Sequence, residues 1–335
     1  VSAPPAEQAL LALLDAPEGA RIENLRRLSG GANMETWSLD LVEGAASEAL
    51  ILRREPGSRN SKTGDSSEVG ELTLAEEAAL LEVAGRHGVA VPALRRVLSE
   101  ADGLGRGYIM SREPGEALPF KLLVEECYRD ALAGLARRCG EELARIHEIP
   151  LDELPAGVPD HGGALLFERA QALLDDHDNV SPVLQLGLNW LRDNARGSPR
   201  RTLVHGDFRM GNLLVDTAGL SAVLDWELAH LGDPVQDLGY LCANVWRFNS
   251  PLPVGGFGEY ADLLAGYESV AGWAPPMADV RYWEVHAALS WGMVCLVMLQ
   301  MYRSGSDASL ERSAVGRRLS EAEIDLLVLL EGEDS

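Results

Sequence analysis

The sequence predicts an α+β chain of two lobes, a small antiparallel-sheet N-lobe followed by a mainly helical C-lobe. Three observations carry this. Up to about residue 112, apolar stretches of strand length are broken by Gly and Pro turns. From about residue 117, apolar residues recur at helical spacing over long runs. With 335 residues and a hydrophobic fraction of 46%, the chain can bury a core in each lobe.

Element by element, residues 7–14 read as a short amphipathic helix. Residues 28–39 read as strand, glycine turn and strand, and residues 49–52 as a further strand. Residues 56–70 are polar and Gly/Ser-rich, the composition of a loop. Residues 72–85 carry Leu74, Ala78, Leu81 and Ala84 on one helical face. Tyr108-Ile109-Met110 is a strand, and Arg112-Glu113-Pro114-Gly115 is a natural break. The expected division is therefore residues 1–112, a hinge at 113–116, and residues 117–335. In the second part helices are expected over 121–147, 165–176, 183–194, 258–271, 280–301 and 321–330. A β island interrupts them at 202–205, 213–216 and 222–225.

Charge and cysteines narrow the function classes. The formal net charge is −23, which disfavours duplex nucleic acid and anionic membrane, because affinity for either is largely electrostatic. Only two of the 29 basic residues are lysines, Lys62 and Lys121. Cys127, Cys139, Cys242 and Cys295 show no CxxC spacing, so reduced thiols and a cytoplasmic location are expected. No basic-then-apolar leader is read at the N-terminus. Residues 285–301 are interrupted by His286, Ser290, Gly292 and Gln300 and fall short of ~20 clean apolar residues, so a buried core helix is expected there.

The chemistry concentrates in Leu203-Val204-His205-Gly206-Asp207-Phe208-Arg209-Met210-Gly211-Asn212-Leu213-Leu214-Val215-Asp216, followed by Ala222-Val223-Leu224-Asp225-Trp226-Glu227. Phosphoryl transfer needs a carboxylate that aims an acceptor hydroxyl and takes its proton late. It also needs a few oxygen ligands for Mg²⁺, completed by phosphates and water. An Asp with an Asn five residues on, entering a strand, and a neighbouring strand ending in Asp meet both needs with Asp207, Asn212 and Asp225. Asp and Asn are also common turn formers; the joint spacing is what raises this stretch above turn chemistry. His205 is expected to pack and to hydrogen-bond the loop backbone. Glu227 is open between metal neighbour, substrate contact and solvated carboxylate.

H-G-D-x-x-x-x-N followed by D-W-E resembles the aminoglycoside phosphotransferase, or choline-kinase-like, branch of the protein-kinase-like fold. The likeness spans nearly the whole chain in order. The wording from His205 to Leu241 is most similar to kinase-like domains fused to acyl-CoA dehydrogenases. This resemblance implies an ATP-dependent small-molecule kinase, with GTP as an alternative donor. It implies Asp207 as catalytic base, Asn212 and Asp225 as Mg²⁺ ligands with Glu227 beside them, and Asp237 as a brace of the catalytic loop. It implies a small hydroxylated acceptor such as a hydroxyacyl thioester, with antibiotic phosphorylation as the alternative. A non-catalytic nucleotide sensor is the alternative of another class.

For the nucleotide, Gly30 and Gly31 could bring backbone close to phosphates, where a Cβ would collide, and the resemblance puts Asn33 at that loop's tip. The family expects a basic residue on the third strand paired to a helix carboxylate. Here no lysine is present: Arg53 fits the register and Arg54 is its rival, with Glu77 as partner and Glu76 as runner-up. Met110 and Arg112 resemble the adenine-side hinge. Arg209, Glu227, Trp246 and Arg247 are candidates to line the acceptor pocket.

Overall fold

The computed structural model describes residues 4–30, 34–55, 72–160, 164–175, 181–195 and 200–332. Helix α1 (Glu7–Leu13) precedes strands β1 (Arg21–Gly30), β2 (Glu35–Glu43) and β3 (Ala46–Glu55). Helix α2 (Leu74–Arg86) and strands β4 (Leu94–Leu98) and β5 (Arg106–Ser111) follow. The five strands form one antiparallel sheet in the order β1-β2-β3-β5-β4.

Strand alternation sorts the side chains of this sheet. Trp37, Leu39, Leu41, Leu50, Leu52 and Ile109 point to one face, where they bury with Leu10, Leu13 and Leu14 of the α1 segment. Arg53, Tyr108 and Met110 take the other face. There the core of α2 (Ala78, Leu81, Ala84) continues into the helical part of the molecule. β4 was not predicted. It lies at the sheet edge with Arg95, Arg96 and Val97 exposed, so it carries no apolar alternation to read.

Helices follow the sheet: α3 (Pro119–Val124), α4 (Arg129–Ala133), α5 (Leu135–His147), α6 (Ala164–Asp175) and α7 (Pro182–Asp193). The single helix expected over 121–147 is thus broken. Glu125 is extended (φ −76°, ψ 127°) after α3, and a 3₁₀ turn intervenes before α4. The β island consists of β6 (Thr202–Val204), β7 (Leu213–Asp216), β8 (Gly219–Val223) and β9 (His230–Gly232), paired β6-β9 and β7-β8. Helices α8 (Val235–Cys242), α9 (Tyr260–Ala271), α10 (Met277–Ser304), α11 (Leu310–Gly316) and α12 (Leu319–Glu331) complete the chain. β9, α8 and α11 were not predicted. The 56–70 loop lies outside the described residues.

By length and composition α10 could cross a membrane, but half of its most apolar stretch is buried. It packs against α7, α8, α11 and α12 as the central helix of this part. Gly239 explains how α8 sits so close to it: a Cβ there would lie 2.4 Å from the Cβ of Trp283.

Candidate active site

The β3 arginine is the first component. Arg53 Nη1 lies 3.2 Å from Glu77 Oε1 and 2.8 Å from Asp225 Oδ1, and Nη2 lies 2.7 Å from Glu227 Oε2. Arg54 points to the opposite face, bonded to Glu35 and to the carbonyl of Leu104. The two carboxylates of α2 separate as cleanly. Glu76 forms a capping box with Thr73 at the helix start, whereas Glu77 is buried beside Arg53. Burial pushes the Glu77 carboxyl up; the Arg53 charge, the Tyr108 hydroxyl and the Trp226 N–H pull the other way. Burial works against the Arg53 charge too, and the carboxylates of Glu77 and Asp225 outweigh it, so the guanidinium stays above its ordinary pKa.

The second component is the loop after β6. Asp207 is buried, and its Oδ1 accepts from Arg209 Nε at 2.9 Å and from the Tyr240 hydroxyl at 2.8 Å. Asn212, in the 3₁₀ turn entering β7, donates its amide to Asp207 Oδ2 at 2.5 Å and to the Asp207 carbonyl at 2.9 Å. The expected strand ending in Asp225 stops earlier, at Val223. Asp225 instead sits in the following loop with φ +67°, a strained conformation for a non-glycine residue. The Leu224 N–H donates to the Asn212 carbonyl at 2.8 Å, which ties that loop to the 3₁₀ turn that carries Asn212.

Two buried groups hold the Asp207 loop. Asp237, on α8, accepts from the His205 N–H (2.8 Å), the Gly206 N–H (2.9 Å) and His147 Nε2 (3.0 Å). His147 in turn meets the Tyr267 hydroxyl at 3.0 Å. His205 is fully buried; its Nδ1 accepts from the Asp207 N–H, and its Nε2–H donates to the Leu224 carbonyl at 3.1 Å. Burial lowers its pKa, so it acts as a neutral brace between the two acidic loops. Gly206 has φ +82°, and a Cβ there would lie 2.4 Å from the Leu228 carbonyl oxygen.

A cavity of about 430 Å³ lies between the sheet and these loops. Arg53, Glu77, Tyr108, Met110, Asn212, Asp225 and Glu227 line it, with Met34, Thr36 and Trp226 among the rest. Among the described residues no three His, Cys, Asp or Glu side chains form a metal cage. The donors that do meet are hard oxygens. Asn212 commits its amide nitrogen to Asp207 and can offer its oxygen, beside the Asp225 carboxylate. One or two carboxylates, an amide, phosphate oxygens and water make a donor set that suits Mg²⁺, so these residues fit that ion arriving with a nucleotide.

Not every expected residue joins them. Gly30 ends β1 opposite Glu35, while Gly31 and Asn33 lie outside the described residues. Arg112 does not reach the cavity. Its N–H donates to the Ala49 carbonyl on β3, and its guanidinium reaches Ser38 (2.6 Å) and Asp40 (2.8 Å) on β2. Arg247 is likewise turned inward, to the Cys242 carbonyl and Glu284. Glu227 is half exposed and pairs with Arg53. Arg209 stacks over the Trp246 ring at 4.6 Å. Tyr108 and Tyr240 were not singled out from sequence, although each hydrogen-bonds a key carboxylate.

The model of the phosphotransferase enzyme family known as APH matches residues 24–275. The chain belongs to this family. Among curated relatives, this phosphotransferase-family chain is 25% identical over 276 residues to acyl-CoA dehydrogenase family member 10 of Mus musculus. That match covers 77% of the chain but only 25% of the relative, so the chain spans about a quarter of that protein's length. Solved structures share its protein-kinase-like fold. A Ralstonia eutropha protein provisionally assigned as an aminoglycoside phosphotransferase superposes with a TM-score of 0.74 at 20% identity, covering 97% of this chain and 98% of the other. A thermostable mutant of an aminoglycoside phosphotransferase, in ternary complex with AMP-PNP and hygromycin B, superposes with a TM-score of 0.59 at 18% identity, covering 97% of both chains.

Proposed function

We propose that the chain moves the γ-phosphoryl group of ATP, with GTP as the alternative donor, to a hydroxyl of a small molecule. The observation that carries this reading is the meeting of Arg53, Asn212 and Asp225 on one cavity, with Asp207 bonded to Asn212. In this reading residues 1–112 hold the nucleotide, 113–116 form the hinge, and 117–335 carry the catalytic loop and the acceptor pocket. Membership of a phosphotransferase family and a solved neighbour holding an ATP analogue both support it.

Each residue then has a defined task. Arg53, held by Glu77, turns a delocalised positive fork toward the α- and β-phosphates. Asn212 and Asp225 offer oxygen ligands. Magnesium, when bound there with the nucleotide, neutralises charge on the transferring phosphoryl group. Asp207 orients the acceptor hydroxyl through Oδ2. As the new O–P bond forms and the bond to the departing diphosphate breaks, Asp207 takes the hydroxyl proton. Arg209, mostly buried beside it, adds positive charge where charge develops.

For the acceptor, similarity to a protein named for acyl-CoA dehydrogenation supports a hydroxyacyl thioester or a related metabolite. An antibiotic acceptor is the alternative that the hygromycin-bound neighbour supports. The test is to incubate the pure protein with Mg·ATP and a mixed library of hydroxylated metabolites and antibiotics, and to follow new phosphomonoesters by mass. A phosphorylated metabolite is the expected product; a phosphorylated antibiotic would favour the alternative. Tight Mg·ATP binding with no phosphomonoester across the library would favour a non-catalytic sensor.

A further inference from the structure

We propose that Tyr240 is a positioning residue for Asp207: with Arg209 it holds one carboxylate oxygen, leaving the other as the atom offered to the acceptor hydroxyl. This rests on the kinase reading above. Oδ1 of Asp207 receives two donors, the Tyr240 hydroxyl at 2.8 Å and Arg209 Nε at 2.9 Å. A carboxylate oxygen accepts about two strong hydrogen bonds, so Oδ1 is saturated. Oδ2 receives only the Asn212 amide among the described residues and keeps a direction open. Turning the carboxylate would break three bonds at once.

The surroundings fix the donors. The Trp246 ring lies 5.6 Å from the Tyr240 ring and 4.6 Å from the Arg209 guanidinium, so one indole sets both. Burial, and then the neighbouring Asp207 charge, push the Tyr240 hydroxyl well above its ordinary pKa, which keeps it a donor across the working range. Tyr240 also follows Asp237 by three residues on α8. Asp237 holds the backbone of His205 and Gly206 while Tyr240 holds the Asp207 side chain, so a single helix sets both the loop and its carboxylate. Close packing of Gly239 on Trp283 anchors that helix between them.

The test is Tyr240→Phe, which removes the hydroxyl and keeps the ring. Phosphoryl transfer from Mg·ATP to water, read as phosphate release, serves as the probe reaction. The expected result is a kcat lower by roughly 10- to 100-fold, the scale of one hydrogen bond to a charged group in a positioned site. The KM for Mg·ATP is expected to stay at its wild-type value, and the melting temperature to fall by no more than the few degrees that one such hydrogen bond accounts for. Combining Tyr240→Phe with Asp207→Ala is expected to lower the residual rate no further than Asp207→Ala alone, because the tyrosine acts through that carboxylate. A wild-type kcat in Tyr240→Phe overturns the proposal, as does an equal fold-loss in both Asp207 backgrounds, which would mark a merely structural role. Full turnover in Asp207→Ala alone would instead overturn the kinase reading, and this inference with it.

Discussion

Arg53 Nη1 reaches Asp225 Oδ1 at 2.8 Å, joining the sheet to the acidic loop after β8. The same guanidinium holds Glu77, which is only 2% exposed. Removing one partner of a buried ion pair strands the other charge. Arg53→Met is therefore expected to cost about 3 kcal/mol of stability and to weaken Mg·ATP binding. Arg54→Met, which loses Glu35 and the Leu104 carbonyl on the far face, is expected to lower stability with nucleotide affinity unchanged. Urea unfolding and ATP titration of the two variants check this; equal loss of affinity in both would contradict the assignment of Arg53 to the cleft.

Adjacent glutamates on α2 should part in the same way. Glu76→Ala removes the capping box and is expected to cost about 1 kcal/mol, with wild-type affinity for nucleotide. Glu77→Gln removes the charge opposite Arg53 and is expected to weaken Mg·ATP binding about 10-fold, on the scale of one charge-assisted hydrogen bond. Titration calorimetry on both variants gives the comparison.

Asp237 is fully buried, and its carboxylate lies below the usual range although burial opposes this, because His147 and the His205 N–H favour the charged form. Asp237→Ala is expected to leave two N–H groups and His147 without their acceptor, at a cost of about 3 kcal/mol or more. Asp237→Asn, which retains one oxygen, is expected to fold with kcat reduced more than KM. Steady-state kinetics on the amide variant provide the measurement.

Acid sensitivity should come in part from buried neutral histidines. Burial lowers His286 to about 4, and the neighbouring His230 acts in the same direction. The unfolded chain would bind this proton near the ordinary value of about 6.5. The contribution is therefore fully present above pH 6.5 and is lost as the pH falls toward 4, amounting to at most about 3 kcal/mol. Urea midpoints at pH 7 and 4.5 are expected to converge in His286→Phe relative to wild type. His205 shifts in the same direction through burial and adds to the same slope.

Some of this architecture could be read from residues alone, and some could not. Asp207 and Asn212 announce themselves by local spacing, and their hydrogen bond spans only five residues. Choosing Arg53 over Arg54 needs strand parity, and Ala49-Leu50-Ile51-Leu52 is apolar at every position, so no alternation reveals the face. Arg112 continues the Met110 face and resembles a hinge residue; only the pairing of β2 with β3 shows that Asp40 is within its reach. Tyr240 bonds a residue 33 positions away from a helix of eight residues, too short to show a clear periodicity. The spacing reads Asp225 as a strand end, but β8 stops at Val223 and Asp225 takes a left-handed backbone in the loop beyond it.

In the proposed reaction Asp207 receives the acceptor proton beside a nucleotide held by Arg53, Asn212 and Asp225. The most direct measurement compares wild type with Asp207→Ala for phosphomonoester formation from Mg·ATP and the acceptor found in the library, with ATP affinity measured on the same samples. The expected result is a rate at least ~10³-fold lower, within the usual range for losing a positioned acid-base group, with ATP binding retained. Turnover at the wild-type rate in Asp207→Ala would contradict the account.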